Sequence, residues 1–228
     1  MGVITISRMH GCGGATVGQR VAELLGYDFV DRELIKHVAE IVEVPEEEVM
    51  KFDEAHVNPI IRFIHSLLRH GGKCADVSWT PSLVRNLPIA FADEERALES
   101  GFGELDHELF TEMVQRVIEQ LYERGNVVIL GRGAMVVLKD KPMTFHVRLV
   151  APLPWRIEYL SRQQDISHDE ARDEIAHNDK RRALYVRQFY HVDWDDPSLY
   201  HLIINIARVG VEGAVQMIVN GARYCFSE

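Results

Sequence analysis

Residues 3–30 contain the pattern that most constrains the fold: a strand, a glycine-rich loop, a helix and a second strand. Residues 3–7 form an apolar run typical of a buried strand, and residues 28–30 read as a short second strand. Between them, Gly26 ends a helix whose apolar residues recur at the spacing of one helical face: Val17, Val21, Leu24 and Leu25. Two strands connected through a helix form a βαβ unit, in which the strands are parallel. The opening therefore predicts an α/β fold with a parallel sheet.

A second unit of this kind follows between residues 105 and 130. Its helix is marked by apolar residues four apart: Leu109, Met113, Val117 and Leu121. Gly125 ends this helix before a strand at 126–130. Ser167, with Glu170 three residues later, predicts the start of a polar helix. The remaining predicted elements are a strand at 145–150, a helix from Pro154, the polar helix at 167–190, a strand at 201–206 and a helix at 211–224.

Charge and cysteine content narrow the classes of partner and compartment. The chain has 25 Lys and Arg against 35 Asp and Glu, and the resulting net charge of −10 would repel a polyphosphate backbone. We therefore expect no nucleic-acid partner. Cys12, Cys74 and Cys225 lack zinc-ligand or disulfide spacing, which suits a reducing compartment and favours the cytoplasm. No segment approaches the roughly 18 consecutive apolar residues of a membrane span, so we expect no membrane association.

The loop between the first strand and helix is the most informative segment for function. Its glycines precede a helix N-terminus, where several N–H groups and the positive helix end converge on one point. This arrangement favours phosphate binding, and a tight turn without a ligand is the alternative. The Walker pattern G-x-x-x-x-G-K-[ST] lacks its lysine here, while the dinucleotide pattern G-x-G-x-x-G fits Gly11 and Gly13 but meets Thr16. Asp31 stands near the distance of the acidic residue in dinucleotide folds. The loop alone leaves both classes open.

Four segments, in order along the chain, carry a resemblance to a known family. They read ITISRMHGCGGATVGQRVAELLGYDFVDRELI, VVILGRGAMVVL, HVRLVAPLPWRIEYL and VDWDDPSLYHLIINIARV. Together they resemble the cytidylate kinase-like family. The resemblance implies an α/β fold, a three-layer P-loop NTPase-type parallel sheet with helices on both faces, plus a helical insertion and a helical lid. It implies one nucleoside monophosphate kinase-like domain over 1–228, with a core at about 1–31, 105–165 and 201–228, an insertion at about 32–104 and a lid at about 166–200.

The resemblance also assigns candidate binding residues. The phosphate loop, which would bind ATP, consists of Gly11, Cys12, Gly13, Gly14, Ala15 and Thr16. Gly14 stands where classical cytidylate kinases have a lysine that meets the β- and γ-phosphates. Arg132, which follows a predicted strand, matches an arginine that serves the monophosphate in that family. Asp31 and Arg32 follow the second strand and are further candidates for binding the acceptor, with a surface turn as the alternative.

The predicted lid contains the candidate catalytic residues. Phosphoryl transfer depends on positioning and positive charge, so arginines are the residues of interest. Arg181 falls on a phosphate-binding arginine of the family's lid, and we expect Arg181 and Arg182 to stabilise the transferring group. Arg8 and Arg132 are the other cations within reach by fold position. The alternative is a solvated basic helix face paired with Asp173 and Glu174.

The resulting hypothesis is an ATP-dependent nucleoside monophosphate kinase with CMP or dCMP as the implied acceptor and Mg²⁺ bridging the donor phosphates. A nucleotide-binding module without transfer activity is the second hypothesis, because Gly14 replaces the lysine. A dinucleotide-dependent oxidoreductase is the third, and Thr16 and the basic lid argue against it. Three acidic residues near His191 fit no calcium loop and predict a solvated turn, not a metal site: Asp193, Asp195 and Asp196. The acceptor and the oligomeric state are left open.

Overall fold

The computed structural model describes residues 2–31 and 104–227. The chain divides into two compact units, one made of Met1–Val30 and Ile118–Glu228 and the other of Asp31–Val117. The larger unit contains the strands of the sheet. The predicted insertion at about 32–104, apart from Glu104, lies outside the described residues, and so does Arg32. The division into core, insertion and lid stays a prediction.

The sheet has five strands, all parallel to their neighbours. The strands are β1 (Val3–Arg8), β2 (Asp28–Val30), β3 (Val127–Leu130), β4 (Thr144–Val150) and β5 (Leu202–Asn205). Their order is β2-β3-β1-β4-β5, which places β1 in the centre. Residues on both sides of β1, β3 and β4 are buried, as expected where helices cover both faces of a parallel sheet. The predicted α/β fold with a parallel sheet is confirmed.

Six α-helices and one short 3-10 helix (Pro197–Leu199) accompany the strands in the described part of the chain. The α-helices are α1 (Gly14–Leu25), α2 (Glu104–Arg124), α3 (Ala134–Val137), α4 (Leu153–Gln164), α5 (His168–Tyr190) and α6 (Ile206–Cys225). The predicted start of α5 is confirmed: Ser167 Oγ accepts from the Glu170 N–H at 3.2 Å, and Glu170 Oε2 accepts from the Ser167 N–H at 2.9 Å. α6 begins before its predicted start, but Gly210, with φ 70° and ψ 173°, interrupts it. Its regular part therefore follows Gly210, as the sequence predicts.

Helices α1 and α6 share one hydrophobic core with one face of the sheet. Val17 and Val21 of α1 are fully buried in this core, and Leu25 packs against it. The inclusion of Leu24 on the buried face was wrong, because its side chain is 47% exposed. The buried face of α1 is displaced toward the small residue Ala22, which apolar periodicity based on large residues does not reveal. Leu24 consequently lies at the edge of that face, on the solvent side.

Candidate active site

The loop that joins β1 to α1 has the backbone geometry of a phosphate cradle. Gly13 is the N-cap of α1 and has φ 63°, while Gly11 has φ 79°, a region that favours glycine. A Cβ at Gly13 would lie 2.7 Å from the hydroxyl oxygen of Tyr159 on α4, so a side chain has no room there. Ala15 and Thr16 are exposed in the first turn of α1. The first N–H groups of a helix have no partner within the helix and can bind an anion.

Cys12 secures the loop and takes no part in its chemistry. Its side chain is 1% exposed and belongs to the core shared by α1 and α6. Burial raises the pKa of the Cys12 thiol to about 12. A thiol with such a pKa is protonated at neutral pH and is a poor nucleophile. Of the predicted phosphate-loop residues, Cys12 therefore contributes its main chain and its anchoring side chain.

Arg8, the last residue of β1, covers the place where the loop lysine is missing. A Cβ added to Gly14 would lie 2.8 Å from Cγ of Arg8. A Cβ added to Gly131, in the loop after β3, would lie 2.5 Å from Nη1 of Arg8. The Arg8 side chain therefore passes over Gly14 and ends beside Gly131. The carboxyl ends of β1 and β3 are adjacent in the sheet, which explains how one side chain reaches both loops.

Helix α5, which lies in the predicted lid, is bonded directly to the segment that joins β1 to α1. Oδ1 of Asp179 accepts from the His10 N–H at 2.7 Å, and Oδ2 accepts from Nη1 of the buried Arg156. Nη1 of Arg156 also donates to the His10 carbonyl at 3.1 Å. Nε2 of His10 lies 2.7 Å from Oε1 of Glu174. Three residues from α4 and α5 thus bind the main-chain N–H, the main-chain carbonyl and the side chain of His10.

Arg182 is the predicted lid residue that the structure places at this loop. Its Nη1 donates to the Arg8 carbonyl at 3.3 Å, and its Nη2 lies 3.2 Å from Nδ1 of His10. A guanidinium only donates, so Nδ1 of His10 accepts and the imidazole proton lies on Nε2, facing Glu174. Burial, together with the charge of Arg182, lowers the pKa of His10. Neutral His10 therefore connects the arginine to the carboxylate.

The side chain of Arg181 leaves the helix in a different direction from that of Arg182. It is partly buried, and as the preceding residue of an α-helix it projects about 100° away around the axis. Glu174, which the alternative interpretation pairs with the basic face of this helix, accepts a hydrogen bond from Nε2 of His10. The alternative of a solvated basic face paired with Asp173 and Glu174 stays a prediction.

The loop after β3 holds Arg132 in an unusual conformation. Gly131, Arg132 and Gly133 have φ values of 84°, 61° and 69°. Arg132 is 7% exposed, and its carbonyl accepts from the Tyr190 hydroxyl at 3.2 Å. A Cβ at Gly133 would overlap the Tyr190 ring. A non-glycine residue with positive φ and a buried guanidinium, at the carboxyl edge of the sheet, is an arrangement typical of functional sites.

Asp31, the other described acceptor candidate, follows β2 and is partly buried. It belongs to the smaller compact unit. Its role in acceptor binding stays a prediction.

The acidic turn at 193–196 has a structural partner that the sequence did not reveal. Arg148 on β4 is 2% exposed, donates to the Trp194 carbonyl and the Asp195 carboxylate, and lies 4.2 Å from the centre of the Trp194 ring. The indole N–H of Trp194 donates to Oγ of Ser7 at 2.7 Å. Among the residues that the structure describes, no group of three or more His, Cys, Asp or Glu could hold a metal ion. The turn therefore neutralises a buried arginine, which is costly to leave without a carboxylate.

The parallel sheet, the glycine loop before α1 and the helix that covers this loop define a P-loop-type α/β fold. Residues 3–208 match the cytidylate kinase-like family, and the chain belongs to that family. The cytidylate kinase of Methanocaldococcus jannaschii is 29% identical over 146 residues, which make up 59% of this chain and 81% of that protein. The cytidylate kinase of Pyrococcus horikoshii is 33% identical over 117 residues, or 51% of this chain and 59% of that protein.

A solved structure shares the fold. An uncharacterized protein from Eubacterium ventriosum has a TM-score of 0.61 and 20% sequence identity, with 98% of each chain covered. This likeness supports the α/β fold that the described strands and helices define. Within residues 2–31 and 104–227, no helix is both long and apolar enough to cross a membrane.

Proposed function

We propose that the protein is a nucleoside monophosphate kinase that transfers the γ-phosphoryl group of ATP to CMP or dCMP. The observation that carries the proposal is the glycine loop before α1, bonded to a helix that brings Arg182 to the same loop. Membership of the cytidylate kinase-like family and the similarity to curated cytidylate kinases support the acceptor class.

The reaction requires no strong general base. An oxygen of the acceptor phosphate attacks the γ-phosphorus, the bond from that phosphorus to the β,γ-bridging oxygen breaks, and ADP leaves with the electron pair. The products are ADP and a nucleoside diphosphate. The protein supplies positioning and positive charge, since charge develops on the transferring group and on the leaving oxygen. The loop amides and the arginines around them match this requirement.

Each candidate residue has a proposed role. The loop residues, Gly11, Cys12, Gly13, Gly14, Ala15 and Thr16, hold the donor phosphates through main-chain N–H groups. Arg182, with Arg181 beside it, stabilises the transferring group. Arg132, Asp31 and Arg32 bind the acceptor. The loop residues and Arg132 follow strands at the carboxyl edge of the sheet, where open α/β sheets bind ligands. The roles of Arg181, Asp31 and Arg32 are proposed from the resemblance to the cytidylate kinase-like family.

Magnesium would enter with ATP as part of the substrate. Mg²⁺ is commonly held by substrate phosphates and only one or two protein ligands, which suits a site without a cluster of acidic side chains in the described residues. Ala15 occupies the Ser or Thr position of the Walker pattern, so the hydroxyl available in the first turn is that of Thr16. The exposed Thr16 side chain fits a role as a magnesium ligand.

Ligand-dependent stabilisation, combined with a transfer assay, tests the proposal. The thermal midpoint is measured with ATP, GTP, NAD, CMP, dCMP and UMP, with and without Mg²⁺, and nucleoside diphosphate formation is followed by chromatography. A ligand at 100 times its Kd stabilises the native state by about 2.7 kcal/mol. We expect ATP with Mg²⁺ and a cytidine monophosphate each to raise the midpoint, and CDP or dCDP to form. Stabilisation by NAD alone contradicts the kinase assignment.

The second candidate function is a nucleotide-binding module without transfer, which Gly14 favours because the loop lacks its lysine. The same measurements separate the two functions. Binding of ATP without transfer to any monophosphate supports the module, whereas transfer above background excludes it.

A further inference from the structure

We propose that Arg8 supplies the positive charge that a lysine supplies in other phosphate loops, and that Gly14 is a glycine because Arg8 crosses it. This inference rests on the proposed function, since it assigns a role in binding the donor phosphates. Two positions of this segment, 8 and 14, differ from the Walker pattern. When Gly13 is set on the second glycine of G-x-x-x-x-G-K, Arg8 falls on the first glycine and Gly14 on the lysine. The loop therefore has an arginine where the Walker pattern has its first glycine, and a glycine where that pattern has its lysine.

The distances explain why the two changes accompany each other. The Cγ atom of Arg8 lies 2.8 Å from the position that a Cβ of residue 14 would take, well inside van der Waals contact. The Cβ and Cδ atoms of Arg8 lie 3.2 Å from the same position. A lysine at position 14 and an arginine at position 8 therefore compete for one space. The Arg8 stem fills the volume through which a lysine from position 14 would leave the helix.

The far end of the Arg8 side chain is accommodated by a second glycine. Nη1 of Arg8 lies 2.5 Å from the position that a Cβ of Gly131 would take. Gly131 is fixed beside β1 by a hydrogen bond from its N–H to the Ile6 carbonyl at 3.0 Å. The guanidinium is thus directed along the carboxyl edge of the central strands, the edge at which α1 begins. An arginine that simply extended into solvent would require neither glycine.

Charge around Arg8 points to an anionic ligand. The Arg8 carbonyl accepts from the guanidinium of Arg182, so a second cation is bonded to the main chain of the same residue. Arg156 adds a third guanidinium at this loop, where Asp179 pairs with Arg156 and lies 3.7 Å from Arg182. A guanidinium binds phosphate oxygens through paired N–H groups, which makes arginine a competent replacement for the loop lysine.

The test replaces Arg8 and Gly14 singly and together. Isothermal titration calorimetry measures the Kd of ATP with Mg²⁺, of AMP and of inorganic tripolyphosphate for the wild type, Arg8→Met, Arg8→Gly, Gly14→Lys and the double variant Arg8→Gly/Gly14→Lys. Loss of a charged hydrogen-bonding group should weaken ATP and tripolyphosphate binding about 10- to 100-fold in both Arg8 single variants. AMP, which lacks the β- and γ-phosphates, should change much less. Arg20→Met, at an exposed ion pair of α1, is the matched control and should bind like the wild type.

The double variant gives the decisive comparison. Gly14→Lys alone should also bind ATP weakly, because its side chain collides with Arg8. The double variant has the two glycines and the lysine of the Walker pattern, and it should recover ATP affinity to within about tenfold of the wild type. The inference is overturned if Arg8→Met binds ATP and tripolyphosphate as tightly as the wild type, or if Gly14→Lys has the same effect with and without Arg8. Circular dichroism confirms that each variant is folded. If Arg8→Met does not fold, a folded double variant that fails to bind ATP overturns the inference.

Failure of the inference and failure of the proposed function have different signatures. If the wild type binds tripolyphosphate through Arg8 but transfers no phosphate, the kinase assignment is overturned and the proposed role of Arg8 is retained. If the Arg8→Met variant transfers phosphate as well as the wild type, the kinase assignment is retained and the proposed role of Arg8 is overturned. A wild type that binds neither ATP nor tripolyphosphate overturns both.

Discussion

At the scale of single residues, the two adjacent lid arginines differ in what surrounds them. Arg182 reaches the Arg8 carbonyl and the His10 ring, so its guanidinium lies at the start of the phosphate loop. Arg181 projects in another direction from the same helix. Both are candidates for stabilising the transferring group, and the geometry supports Arg182 more directly.

We expect Arg182→Ala and Arg181→Ala each to lower kcat for transfer from ATP to CMP more than they weaken CMP binding. An arginine that acts in the transition state contributes about 10³-fold or more in rate. Steady-state kinetics at varied CMP measures the two parameters. Arg172→Ala removes an exposed arginine of the same helix that pairs with Asp169, and it should leave kcat unchanged. Wild-type rates in both lid variants would contradict the lid assignment.

A second prediction at this scale concerns thiol reactivity. Cys12 is buried with its pKa raised to about 12, whereas Cys225 is exposed. Because the thiolate is the reactive form, an alkylating reagent at pH 8 should label Cys225 within minutes and leave Cys12 intact in the native protein. Peptide mapping by mass spectrometry gives the labelling of each site. Unfolding in urea should expose Cys12 and make the labelling rates of the two cysteines similar. Rapid labelling of Cys12 in the native protein would contradict its place in the core.

At the scale of elements, the Asp179 carboxylate joins α5 both to the segment before α1 and to α4. Asp179 accepts from the main chain of His10 and from Arg156, whose side chain is 9% exposed. Helix α5 would lose both bonds together if this carboxylate were removed. The position of Arg182 at the loop would then be less well defined, because the two residues lie on the same side of the helix, three positions apart.

Asp179→Ala should therefore destabilise the protein by about 2–3 kcal/mol, because it leaves a buried guanidinium without its anionic partner. Urea denaturation at pH 7 measures the free energy of unfolding. Asp173→Ala changes an exposed aspartate of the same helix and should stay within about 0.5 kcal/mol of the wild type. Equal losses in the two variants would show that the loop contact contributes nothing specific.

Local elements of this fold were predictable from the sequence, and long-range polar contacts were not. The Ser167 cap has its signal within four residues, and the strands have theirs in apolar runs, so both were predicted correctly. The contact between His10 and Asp179 joins residues 169 positions apart, and neither residue belongs to a motif that specifies the other. Helix α3, with four residues, is too short to show periodicity. The candidate site depends on such distant pairs, which is why its residues were named but its geometry was not.

At the scale of the whole molecule, we expect histidines with lowered pKa values to make stability depend on pH. His146 on β4 is 2% exposed and lies between two threonine hydroxyls, with Nδ1 2.8 Å from Oγ1 of Thr5 and Nε2 3.4 Å from Oγ1 of Thr144. The His201 ring stacks on it at 4.9 Å between centres. Burial, followed by the charge of His201, lowers the pKa of His146 to about 4. His10 and His201 also have lowered pKa values, with burial as the main cause.

A histidine whose pKa is lower in the folded than in the unfolded chain binds protons preferentially in the unfolded chain. Its contribution to stability is therefore complete above about pH 6.5 and is lost as the pH falls toward 4. For His146 alone, linkage predicts that the free energy of unfolding drops by about 2 kcal/mol between pH 7 and pH 5. Urea denaturation at both pH values measures this drop. His146→Gln keeps a donor and an acceptor for the two hydroxyls but does not titrate, so its drop should be smaller by at least about 1 kcal/mol, with His10 and His201 supplying the remainder. An unchanged drop in the variant would contradict the assignment of the pH dependence to His146.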